Sequence, residues 1–143
     1  MDDATLSLLV DLTGSAKLGS GYGLAIDVAV SSVSWTLLQV FLFQWPDLGP
    51  YKMKRAAYLD MRNRMVSFIH GIGMFIACGH YAATEAYFCG SLTTATEYVI
   101  LVTSCGYFSY DFLAMAWFGL LDFDMTIHHL LCISGMMVTL AKG

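Results

Sequence analysis

The sequence predicts an all-α protein, a multi-pass membrane helical bundle of about four transmembrane helices. Three observations point there. Of 143 residues, 57% are hydrophobic and 13% are charged, against roughly 45–50% and about 25% in an ordinary soluble domain. Mean hydropathy is +0.63. The apolar residues fall into four runs, each close to the ~20 residues that a helix needs to cross a bilayer. The same composition excludes other classes. The chain is too apolar for intrinsic disorder. Seven Lys and Arg against eleven Asp and Glu give a net charge of −4, so no nucleic-acid partner is expected.

Residues 1–23 read as an N-terminal non-spanning segment. Asp2, Asp3 and Asp11 stand where a signal peptide carries positive charge, and the apolar patch 6–10 is too short for its core. Gly14, Gly19, Gly21 and Gly23 mark a loop. Residues 24–143 form a single membrane domain. The first span, 24–45, stops at Trp45-Pro46, because proline disfavours helix in the residue before it and Trp suits the interface. The second, 64–83, carries the small-xxx-small pairs Ser67/Gly71 and Gly73/Ala77, which predict close helix approach. The third runs over 97–120 and the fourth over 125–141, joined by the short turn 121–124. Cys78, Cys89, Cys105 and Cys132 are scattered without a Cys-x-x-Cys pair and read as small packing residues.

Five of the seven basic residues (Lys52, Lys54, Arg55, Arg62 and Arg64) lie between the first two apolar runs or at the start of the second. The positive-inside rule places that loop in the cytoplasm, or in the matrix for a mitochondrial inner-membrane protein.

Ionisable residues inside a bilayer are costly and need partners, so each is a candidate for a site. His70, Asp111 and the pair His128–His129 fall five to seven residues inside three successive spans. At 1.5 Å per residue that is roughly 8–10 Å below one membrane face, so a common level is expected. Each sits on a polar stripe at helical spacing: Asn63, Ser67 and His70; Ser104, Tyr107 and Asp111; Asp124 and His128. Two readings follow. One is an interhelical hydrogen-bond cluster, in which Asp111 accepts from His70 or a neighbouring Tyr. The other is an acid–base or nucleophilic His/Asp pair facing a lipid-accessible cavity. Adjacent residues on a helix point about 100° apart, so at most one of His128 and His129 faces such a site squarely. Depth favours His129, and alignment with Asp124 favours His128. Asp27, near the opposite surface, reads as an interfacial residue or a cap. His80 is placed near the far interface. The histidine spacing gives no metal site, and no metal or resident cofactor is expected.

Three blocks, RNRMVSFIHG at 62–71, GYFSYD at 106–111 and the His128–His129 pair followed by an apolar run with Gly135, together resemble the TLC domain of the TRAM, Lag and CLN-type membrane proteins. The resemblance covers about residues 60–137 and is nearest to the small TLC-domain-containing proteins. It implies a helical bundle around a lipid-sized cavity, residence in the endoplasmic reticulum and a role in membrane lipid handling or homeostasis, with membrane lipids as partners. It also implies the site residues: His128, His129 and Asp111 as catalytic candidates, with His70, Ser67 and Tyr107 as lipid-pocket companions. If the protein is an enzyme, it would be an acyltransferase of ceramide-synthase type with acyl-CoA as co-substrate. Departures from the synthases, such as Cys132 where they carry Thr, and the missing last helices of the family fold leave a second expectation. This is a non-catalytic accessory subunit, with a protein partner or a second copy completing the bundle.

Overall fold

The computed structural model describes residues 21–43, 54–84 and 93–142. The segment 1–20, the Trp45-Pro46 stop, Lys52, Cys89 and the 85–92 connection lie outside the described residues. Four helices make up nearly all of the rest: α1 (Gly21–Phe43), α2 (Arg55–Thr84), α3 (Ala95–Phe118) and α4 (Phe123–Lys142). No strand occurs among the described residues. All four are long and apolar enough to cross a membrane. The protein is therefore an all-helical bundle of integral-membrane character.

Helix ends follow local chemistry. Thr94 caps α3 in a reciprocal capping box: its hydroxyl accepts from the Glu97 amide at 3.2 Å, and the Glu97 carboxylate accepts from the Thr94 amide at 2.8 Å. The box starts α3 two residues before the predicted 97. Gly119 ends the helix in the left-handed region at φ 67°, a conformation that a Cβ would strain. Asp122 then opens α4 by accepting from the Met125 amide at 2.8 Å. The largest departure is at α2, which begins at Arg55 rather than 64. The extra turns are amphipathic and charged, with Arg64 paired to Asp60 one turn back at 2.9 Å.

Helix α3 is the centre of the bundle and packs against all three others, most extensively against α1. Residues 27, 31, 35 and 43 of α1 meet residues 98, 103 and 118 of α3 in the same order, so the two helices run parallel. Helices α2 and α4 run antiparallel to α3 on its flanks and scarcely touch each other. Two apolar clusters fill the interior. Leu24, Val102, Cys105 and Leu140 join α1, α3 and α4. Val66, Tyr107 and Tyr110, with Trp35 and Leu38 beside them, join α1, α2 and α3.

Close approach occurs on α3, not at the predicted pairs of α2. A Cβ at Gly71 or Gly73 would meet nothing within 4 Å, whereas a Cβ at Gly106 would collide with the Ser31 side chain. Lipid tails are as apolar as Leu, so membrane helices associate by tight packing and interhelical hydrogen bonds. Gly106 lets Ser32 donate to the Gly106 carbonyl at 3.0 Å, and Trp35 Nε1 donates to the Thr103 carbonyl at 3.2 Å. The packing role assigned to cysteine fits Cys105, which is fully buried; Cys78 is exposed and Cys132 is half-buried. Gly106→Val is expected to force α1 off α3 at a cost of about 1–3 kcal/mol, the usual range for overpacking. Reversible unfolding in bicelles would measure it, and Gly73→Val is expected to leave the midpoint nearly unchanged.

Candidate intramembrane site

The site is built on Asp111 of α3. Its Oδ1 accepts from Asn63 Nδ2 of α2 at 2.7 Å, and its Oδ2 lies 2.8 Å from His129 Nε2 of α4. One carboxylate thus bridges the two helices that otherwise scarcely meet. Asn63 is held in turn. Its Oδ1 accepts from the Tyr110 hydroxyl at 3.3 Å and from Gln39 Nε2 of α1 at 3.4 Å. All four helices therefore contribute to one polar knot. Gln39, Asn63, Tyr110, Asp111 and His129 are all buried, with His129 only 1% exposed.

The proton inventory of His129 follows from its partners. Nδ1 lies 2.8 Å from the Met125 carbonyl, which only accepts, so Nδ1 carries a proton and donates. Nε2 faces a carboxylate oxygen at 2.8 Å. Two lone pairs do not meet at that distance, so one proton lies between Nε2 and Oδ2. Whether written as imidazolium–carboxylate or imidazole–carboxylic acid, the pair is neutral as a whole. Neutrality is the low-cost way to bury such groups in an apolar medium. Both ring nitrogens of His129 are engaged, and neither is open to a substrate.

A second polar layer sits about one turn away along α3. The Tyr107 hydroxyl donates to Ser67 Oγ at 2.8 Å, and Ser67 Oγ donates to the Asn63 carbonyl at 3.2 Å. His70 stacks on Tyr107 with ring centroids 3.8 Å apart and planes 10° from parallel, and meets the edge of Trp35 at 5.5 Å. His70 Nε2 is 3.4 Å from Ser104 Oγ.

The predicted site residues thus divide. Asp111 and His129 meet directly. His70 belongs to the Tyr107 layer rather than to the level of Asp111, and Asp111 takes its hydrogen bonds from Asn63 and His129 instead. Ser67 and Tyr107 link the two layers. His128 is exposed on the outer face of α4, 5.5 Å from the His129 ring and 5.7 Å from Phe108, with Cys132 Sγ 3.9 Å from its ring nitrogens. Asp124 is exposed as well, so the stripe of Asp124 and His128 faces away from the bundle interior. Asp27 accepts from the Tyr98 hydroxyl at 2.6 Å near the opposite end of α1 and α3. His80 is exposed.

Three partners escaped the sequence reading of the site: Gln39, Tyr110 and the direct role of Asn63. A signal existed for two of them. Gln39 is an amide deep in an otherwise apolar run, and Asn63 shares a stripe with Ser67.

Comparisons of the chain with protein-family models, with curated proteins and with solved structures find no match. The geometry therefore carries the functional argument.

Asp111→Ala is expected to remove two interhelical bonds at about 1 kcal/mol each and to leave a buried amide and imidazole without their acceptor, at about 1–3 kcal/mol more. The expected loss is about 3–5 kcal/mol, read by unfolding in bicelles. His129→Ala, which strips the buried Asp111 carboxylate of its neutralising partner, is expected to lose at least as much, and His128→Ala to leave the midpoint unchanged. Equal losses at 128 and 129 would contradict the assignment of His129 to the interior.

Proposed function

We propose that this chain is an integral membrane protein of lipid handling, of the kind that its likeness to the TLC domain implies, with the endoplasmic reticulum as its membrane. The observation that carries the reading is the inequality of the two adjacent histidines. His129 is locked inside by Asp111 and Met125, while His128 stands exposed beside it on the outer face of α4. A polar imidazole facing hydrocarbon is costly and marks a functional position by default. In this reading Asp111 and His129 are positioning residues. They fix the rotation of α4 and thereby the direction in which His128 points. His128 is the residue available to an acyl lipid.

If turnover occurs, the reaction is acyl transfer from acyl-CoA. His128 takes the proton of an acceptor amine or hydroxyl as that atom bonds to the acyl carbon. The thioester carbon–sulfur bond breaks, and the departing CoA thiolate receives the proton. His70, Ser67 and Tyr107 are taken up by bonds and stacking within the bundle.

A second reading, a non-catalytic accessory subunit, is favoured by the same closed knot, because a sealed and neutral pair is what a purely structural tie requires. Here a partner protein or a second copy meets His128 on the outer face of α4.

The two readings separate on His128→Ala. Lipid handling predicts altered acyl-lipid composition in cells expressing the variant, with a fold as stable as wild type. The accessory reading predicts unchanged lipids and loss of a co-purifying membrane partner. His129→Ala with His128 intact is expected to act through stability, and a temperature at which that variant is folded should restore most of its effect.

A further inference from the structure

A second feature lies on α2, apart from the knot. Arg64, Ser67, Phe68, Gly71, Ile72 and Phe75 line an open groove of about 530 Å³. These residues recur three or four apart, so they share one face of the helix. Phe68, Ile72 and Phe75 are exposed, and a Cβ at Gly71 would meet nothing within 4 Å. The notch at Gly71 is therefore flanked by protruding apolar side chains. An exposed glycine inside a helix costs about 1 kcal/mol relative to Ala, and no contact among the described residues requires it here.

The groove has polarity along its length. Its apolar part runs toward the middle of α2. Its other end carries the exposed guanidinium of Arg64, in the charged first turns of the helix. Asp60 takes Arg64 Nε at 2.9 Å, and the two η nitrogens remain to meet an anion. From Arg64 to Phe75 the groove measures about 16 Å at ~1.5 Å per residue. One leaflet of hydrocarbon is about 15 Å, half of the ~30 Å core. An exposed cation followed by about one leaflet's length of apolar notch is complementary to a single anionic phospholipid.

We infer that this face of α2 is a binding site for an anionic phospholipid, with the phosphate on Arg64 and an acyl chain lying over Gly71 between Phe68 and Phe75. The site stands apart from His128 and holds whether or not the chain turns lipid over. Asp60 competes with the phosphate for Arg64, so the site is weakened by its own neighbour.

The test is native mass spectrometry of the full chain released from nanodiscs of equal phosphatidylglycerol and phosphatidylcholine. Retention of phosphatidylglycerol over phosphatidylcholine by about fivefold is expected, the factor that ~1 kcal/mol per cation at an anionic surface gives. Arg64→Gln is expected to abolish the preference, Asp60→Asn to increase it, and Gly71→Leu to lower retention of both lipids without loss of stability. Equal retention of the two lipids by wild type would overturn the inference. So would wild-type binding by Gly71→Leu, which marks a merely annular lipid, or displacement by inorganic phosphate, which marks a free-anion site. A His128→Ala chain is expected to keep the preference, so failure of this site and failure of the functional reading above are distinguishable.

Discussion

The carboxylate of Asp111 is the constraint on which the bundle depends. Helices α2 and α4 flank α3 without packing on each other, and Asp111 fastens one with each oxygen. In water, burial of apolar surface would hold such helices together. In a bilayer that drive is absent between helices, because the alternative neighbour is itself hydrocarbon. Directional bonds and close packing must therefore set position. The knot supplies the first and the Gly106–Ser31 contact supplies the second, and they act on different sides of α3.

The need to keep the knot neutral explains its composition. An isolated carboxylate at this depth would be costly. Pairing it with an imidazole that already donates to Met125 cancels the charge, and Asn63 satisfies the remaining oxygen. Asn63 is itself oriented by Tyr110 and Gln39, which donate to its oxygen and so leave its nitrogen for Asp111. The network is closed, and closure fixes the rotation of α2 and α4 about their axes. Two outward features follow from that rotation: His128 on the exposed face of α4, and the Arg64-to-Phe75 groove on the exposed face of α2. A site at the surface of such a bundle inherits its geometry from bonds that never contact a ligand.

The knot is closed by aromatic and apolar side chains of the four helices themselves. Tyr107 and Tyr110 are buried beside it, and Phe108 packs against both histidines of α4. A histidine with both nitrogens engaged inside the bundle offers no atom to a substrate, however suggestive its sequence neighbourhood. Such a residue contributes to function through what it holds in place.

The sequence by itself determined the helical class and the number of long apolar segments, and it put Asp111, His70, His128 and His129 at similar depths. Each of these follows from short-range facts. Length and hydropathy are properties of single segments, and the depths of Asp111 and His129 can be counted from the ends of their own spans. The capping box at Thr94 and Glu97 is equally local, written in four residues, but the hydropathy that starts the span at 97 does not register it. Only the tertiary structure decided which histidine turns inward, because His128 and His129 differ by 100° of rotation and nothing in α4 alone fixes its zero. It likewise decided that Asn63 rather than His70 serves Asp111, since the relative sliding of α2 against α3 by one turn leaves both stripes intact. The small-residue pairs of α2 show the same limit: Gly71 and Gly106 are indistinguishable as residues, and only the path of α1 across α3 made one a contact and left the other an open notch.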